Sequence, residues 1–304
     1  MKNIKSDRKF NILFFLLSFI LFLISCKEKE ILQNDAIVVC GDSKVLIVDY
    51  PQQGDSIPNI LWQWDAQYSN DLPFEYRIRK FNSIDDCKPT ADGNQLMISS
   101  SSGAIAVINL KDQKVTFLAD VPNAHSIEMI PNNRIVAAAS TSPNGNKLML
   151  FDLSNSHDLL DSDSLYSAHG VVWDKKRDIL YALGYDVLRE YEISNNNKFI
   201  KLNEWTIPGI SGHDLSISPD GNKLFITEHA GAWMFDIETR NFSKTDQFPD
   251  AENIKSINLN KKGQFIYTVA EDSWWTYKVK TTNPTGYLSF PNLRLYKSRL
   301  YNVD

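Results

Sequence analysis

Three histidines open three consecutive copies of one pattern. His125 begins "HSIEMIPNNRIVAAAS", His169 begins "HGVVWDKKRDILYALG" and His213 begins "HDLSISPDGNKLFITE". The same opening position is held by Asp85, Lys255 and Lys297 in three further copies. Neutral imidazoles suit divalent metals such as Mn or Zn, and three of them leave coordination positions open. A carboxylate beside them can add a ligand or orient an imidazole. Ammonium groups at neighbouring positions attract a carboxylate or sulfate. A single histidine at a strand start is more often packed or capping than a ligand, but three at one register ask for a common cause, because packing favours small or apolar residues there. A water-filled channel would also tolerate such residues at little cost. The sequence therefore predicts one mouth holding Asp85, His125, His169, His213, Lys255 and Lys297, with His125, His169 and His213 as candidate ligands for one divalent metal (Mn, Zn or Ca).

Further candidates lie in the segments that follow. "TEHAGAW" supplies Glu228 and His229, "AEDSWW" supplies Glu271, Asp272, Trp274 and Trp275, "LGYD" supplies Tyr185, and "ASTS" supplies Ser140 and Thr141. Aromatic rings stack on sugar faces while cations hold a carboxylate, so the set suits an acidic glycan fragment or another small anionic ligand. Adjacent strand residues face opposite sides, so one of Trp274 and Trp275 is expected in the core. Asp85 with Glu228 or Glu271 could form a glycosidase carboxylate pair. His125 and Glu128 form an HxxE pair that a regular strand would point to opposite faces. The sequence contains no G-x-S-x-G elbow, Walker A loop, HExxH, G-x-G-x-x-G or calcium-loop pattern.

The elements that must position these residues are short strands. Each copy reads as a strand, a polar turn and a more apolar strand. A third strand follows, such as "LMLFDL", "LREYEI" or "WTYKV", and then a fourth, such as "VTFLAD", "FIKLNEW" or "FSKTDQF". The openings at 85, 125, 169, 213, 255 and 297 are spaced by 40 to 44 residues. Four short strands at that period are the signature of a propeller blade. The last copy, "KSRLYN", ends after one strand, whereas "AIVVCG", "KVLIVDY" and "ILWQW" lack a first strand. The C-terminal strand thus completes the N-terminal blade and removes an open edge. The fold expected is all-β: one six-bladed β-propeller of four-stranded antiparallel blades over residues 36–304. "SSSSG" at 99–103 reads as a plain exposed turn between second and third strands.

The chain has 304 residues with 43% hydrophobic and 23% charged side chains, ample for a sizeable core. Residues 1–25 carry Lys2, Lys5, Arg8 and Lys9 before the apolar run "ILFFLLSFILFLIS", which reads as a secretory signal. That run is shorter than the ~20 residues of a spanning helix. Without residues 1–25, which hold four basic and one acidic side chains, the net charge passes from −5 to −8. So acidic a chain lacks a polybasic footprint, and no nucleic-acid partner is expected. Cys40 and Cys87 fall in or beside strands, as buried thiols or as a disulfide.

"LISC" resembles the lipobox of bacterial lipoproteins, which implies lipidation of Cys26, a tether over 26–35 and attachment to the outer membrane, facing the periplasm or the cell surface. The charged "KEKE" after it is similar to the export signal of Bacteroidota surface lipoproteins, or serves as a solvated linker. "AHSIEMIPNNRIVAAAS", "AHGVVWD", "GHDLSISPDGNKLFIT", "KSINLN" and "LYKSRLYN" behind that lipobox resemble a Bacteroidota lipoprotein propeller family of unknown function. "SPDGNKLFIT" is similar to turns of WD40-like and YVTN-type propellers. The histidine ring resembles that of oligogalacturonate lyase, which implies metal-dependent chemistry on uronates. Three functions follow as expectations: a surface propeller that binds a small acidic ligand, a metal-dependent lyase or hydrolase, and a protein-interaction scaffold. A monomer is expected.

Overall fold

The computed structural model describes residues 36–50 and 56–301. Six four-stranded antiparallel sheets make up the fold. The expected signal, Cys26 and the tether lie outside the described residues. Within these residues no helix is long and apolar enough to cross a membrane. The innermost strands are Leu295–Tyr301 in blade 1, Ile84–Pro89 in blade 2, Ala124–Ile130 in blade 3, Gly170–Asp174 in blade 4, Asp214–Ile217 in blade 5 and Ile254–Leu259 in blade 6.

Closure is as the repeat requires. Leu295–Tyr301 pairs antiparallel with Ala36–Gly41, from Gly41 opposite Leu295 to Ala36 opposite Tyr301. Blades are held together by apolar residues from facing sheets. Between blades 2 and 3, Met97, Ile105 and Phe117 pack with Ile127, Ile135 and Phe151, all buried. Burying each such side chain contributes about 1.5–3 kcal/mol relative to exposure. Cys40 and Cys87 are buried free thiols in one cluster between blades 1 and 2.

Two elements are shorter than the repeat implies. The third strand of blade 6 is only Lys278–Thr281, because the preceding residues turn tightly, with Asp272 bridged to Trp275 and Thr276 to Leu295. The fourth strand of blade 5 is Asn241–Ser243. Between blades 1 and 2 the chain makes two short helical turns, Ala66–Tyr68 and Tyr76–Lys80, anchored where the Tyr76 hydroxyl and Lys80 reach Asp120 at 2.5 and 2.6 Å.

Candidate functional site

Every predicted ring residue is the extra residue of a β-bulge. Asp85 lies between the pairs Ile84–Ser100 and Asp86–Ser99, His125 between Ala124–Ala139 and Ser126–Ala138, and Lys255 between Ile254–Val269 and Ser256–Thr268. His169 donates its N–H to Leu183, which also faces Gly170, and His213 does so to Thr227, which also faces Asp214. On the terminal strand, Tyr296 and Lys297 together span the single residue Cys40. A bulge re-aims a side chain and breaks the alternation of faces. The ring residue and its successor can therefore both reach the channel. His125 and Glu128, which alternation would separate, both line it, His125 at the mouth and Glu128 at the far end.

The second tier so created is an ionic plug. Arg299 donates to Asp214 twice, at 2.8 and 2.7 Å, and to Asp86 at 2.7 Å. Lys297 Nζ lies 3.0 Å from Asp214 Oδ1 and donates to the His169 carbonyl at 3.1 Å. Asp86 also accepts from Ser126 Oγ at 2.8 Å, and Asp214 from the Ile257 N–H at 3.1 Å. Burial alone would raise both carboxyls; Arg299, then Lys297, hold them below the usual range. The channel is closed here by protein, and the expectation of a hydrated ring needs correction. Lys297 is fully buried with its charge matched by Asp214, so it is not the free cation that the sequence suggested.

Above the plug sits the histidine tier. The His125 and His169 rings stack at 4.3 Å and 15°, and His169 meets His213 edge to face at 5.9 Å. His169 Nδ1 faces the Ser167 carbonyl at 2.9 Å and the Ser140 hydroxyl at 3.2 Å. His213 Nε2 accepts from Lys255 Nζ at 2.9 Å. The Nδ1 atoms of His125 and His213 are buried without a hydrogen-bond partner. Burial, then neighbouring positive charge, pushes His125 well below its ordinary value; burial takes His169 to about 4, and burial with the Lys255 charge takes His213 to about 2. All three are neutral at pH 7, the form a metal needs. Their nitrogens do not converge, however, because stacking sets two rings parallel and the third is occupied by an ammonium. Among the described residues no three His, Cys, Asp or Glu side chains form a metal-holding group.

Two further groups complete the mouth. Asp85 is buried, accepts the Ser101 N–H and lies 4.0 Å from His125 Nδ1. Burial raises its carboxyl to about 7, against the Ser101 hydrogen bonds and the Lys297 charge. The "SSSSG" turn is thus a support for Asp85 as well as a surface loop. Lys255 is 1% exposed, and among the described residues no carboxylate lies within ion-pair distance of it. Burial and the nearby Lys297 lower its ammonium to about 8. Its Nζ lies 5.2 Å from the Trp274 ring centroid, a cation–π contact.

The loop residues divide into rim and scaffold. Trp274 is 61% exposed, while Trp275 is half-buried against Tyr296, with Arg294 over its ring. Tyr185 packs on the exposed Tyr166, and His229 is exposed. Glu228 is buried and accepts from the Ala230 N–H at 2.8 Å and Trp233 Nε1 at 3.2 Å, which makes it a support of its own hairpin. Glu271 pairs with Lys280 at 2.7 Å. Neither acid is presented with Asp85 as a free carboxylate pair.

The sequence reading missed the other end of the channel. Lys88, Glu128, Val172, Ser216 and Asn258 stand three residues beyond the ring positions of their blades and, with Arg299, line a cavity of about 500 Å³. Lys88 Nζ bonds Glu128 at 2.9 Å and the Val171 carbonyl at 2.5 Å. A polar residue three places after four of the six opening residues, at Lys88, Glu128, Ser216 and Asn258, was the available signal.

Fold and site define a six-bladed propeller with a plugged channel and one polar, aromatic-rimmed mouth. Over residues 23–304 the chain matches, and belongs to, a family of unknown function, DUF6528. Its fold is similar to that of a functionally unknown protein from Desulfotomaculum acetoxidans DSM 771, at 14% identity and TM-score 0.57, over 88% of this chain and 80% of that one. It is also similar to a chain of a nidogen/laminin complex, at 11% identity and TM-score 0.64, over 88% of this chain and 99% of that one. At these identities the likeness is one of fold. No curated protein matches the chain.

Proposed function

We propose that this propeller binds an acidic glycan fragment, or another small anionic ligand, at the histidine-lined mouth. The observation that supports this reading is Lys255, a buried ammonium without a carboxylate partner among the described residues, set beneath an exposed tryptophan. An isolated buried charge is costly, so an anion that reaches it recovers that cost. Trp274 offers a ring face for a sugar beside it.

The strand directions favour a display role. The terminal strand runs from the mouth, at Lys297, toward the far end, at Tyr301, and Ala36 pairs with Tyr301. The first described residue, Ala36, thus lies at the face opposite the mouth. With lipid on Cys26, the mouth would point away from the membrane, which suits capture of a ligand from solution. Calorimetry with galacturonate oligomers against neutral oligomers of equal length tests the binding. Preference for the acidic series, weakened about tenfold or more by Lys255→Met, is expected, the size of one charge-assisted hydrogen bond. Equal affinity for both series, or for both proteins, would remove the reading.

A further inference from the structure

The pairing of Lys255 with His213 supports more than charge recognition. A lysine becomes a nucleophile when desolvated or placed beside another cation, because both disfavour the ammonium form. Lys255 meets both conditions: it is 1% exposed, and the fully buried Lys297 occupies the ring position of the next blade. Facing it are His213 Nε2 from blade 5 at 2.9 Å and the Lys297 charge from blade 1; the Asp214 carboxylate next to His213 in sequence is already engaged by Lys297 and Arg299. Among the described residues the charge on Lys255 is therefore left without a local anion, and burial with the Lys297 charge lowers its value to about 8.

We propose that the Lys255 amine forms a reversible imine with a small carbonyl compound that also carries a carboxylate. The inference rests on the mouth being a site for acidic ligands, and it adds a covalent step. The amine lone pair attacks the carbonyl carbon; the C–N bond forms as the carbonyl π pair moves onto oxygen, which takes one of the two amine protons to become a hydroxyl. Loss of water from that carbinolamine gives the imine, with His213 Nε2, 2.9 Å from Nζ, passing the amine proton toward the departing hydroxyl. One water is released, and no oxidant or reductant is consumed. The carboxylate supplies the anion that the site lacks and neutralises the protonated imine. Trp274 lies over the ammonium yet is itself 61% exposed, so displacement of its indole opens the path to Nζ.

The test uses the folded protein with glyoxylate and cyanoborohydride at about pH 7.5, followed by peptide mass spectrometry. Lys255 should be trapped at least about tenfold faster than the exposed Lys111 and Lys114, because burial and the neighbouring Lys297 favour its free amine. Trp274→Ala should speed trapping, His213→Gln should slow it, and Lys255→Arg should abolish it with the fold kept. Glycolaldehyde, which lacks the carboxylate, should trap more slowly. If Lys255 is trapped no faster than Lys111 and Lys114 in both the wild type and Trp274→Ala, the imine is excluded. Should galacturonate binding then still depend on Lys255, the mouth remains an acidic-ligand site; should it not, both readings fail.

Discussion

Arg299 reaches from the last strand across the channel axis to Asp214 on blade 5, and the guanidinium and carboxylate meet in two parallel hydrogen bonds of 2.7 and 2.8 Å. Its third contact, to Asp86, ties in blade 2. The strand that completes blade 1 is thus joined by hydrogen bonds to its own sheet and by charge to two other blades. Bidentate, charge-assisted pairs of this kind set geometry as well as energy.

Removing the guanidinium should be costly for that reason. Arg299→Met would leave Asp86 and Asp214 buried with Lys297, and for Asp86 also Lys88, as the remaining nearby cations. Breaking a buried ion pair from one side typically costs about 3–5 kcal/mol. A urea titration should show the unfolding free energy lowered by that amount, as a lower midpoint at unchanged slope. A change below about 0.5 kcal/mol, the scale of a surface substitution, would mean the plug contributes little.

Deleting residues 297–304 should be more severe. It removes most of the strand paired with Ala36–Gly41, together with Lys297 and Arg299. Lost ladder hydrogen bonds, apolar burial and plug contacts together exceed several kcal/mol, a large share of a domain's net stability. The truncated protein should melt far below the full chain or fail to fold. A midpoint within about two degrees of the full chain would contradict the closure.

The ring and its closure were legible because they repeat: one opening position recurs six times, and "KSRLYN" matches "KSINLN" in the blade before it. Asp86, Asp214 and Arg299 were not legible. Alternation counts Asp214 as outward when His213 is inward, and only the bulge brings both to the channel. The partner of Arg299 lies 85 residues away and is set by closure of the whole ring, which no local pattern encodes. The convergence of three imidazoles failed for a related cause. The register fixes where each strand starts, whereas ring orientation depends on contacts such as Lys255 with His213 and the Ser167 carbonyl with His169.

Asp85 should give a pH signature of its own. Burial raises its folded value to about 7, well above the ordinary carboxylate value of about 3.9. The folded state then binds the extra proton between those values, so its contribution is full below about pH 4 and is lost as pH rises through about 7. Asp85→Asn avoids the buried anion. Relative to the wild type, it should gain stability between pH 5 and pH 8, by about a few kcal/mol. The contribution of His169 has the opposite sign, as its depressed value favours folding above about 6.5, but it is common to both proteins and cancels in the difference. Denaturant titrations of the two proteins at several pH values would give parallel curves if Asp85 were an ordinary carboxylate.

Lys255 and Lys297 occupy equivalent positions on adjacent blades, yet their substitution should have opposite effects. Lys297 is matched by Asp214 at 3.0 Å and donates to the His169 carbonyl, so Lys297→Met breaks a buried pair and should destabilise by about 3–5 kcal/mol. Lys255 has His213 and an indole face but no carboxylate among the described residues, so the fold bears its desolvation uncompensated. Lys255→Met should raise stability by about 1–2 kcal/mol, as removal of strain at a binding site commonly does, while weakening capture of acidic ligands. It should also end the fall of the His213 pKa that the Lys255 charge causes, visible as a higher imidazole titration by NMR. Equal destabilisation by the two substitutions would show that Lys255 is a structural cation like its neighbour and would move the ligand site away from the channel mouth.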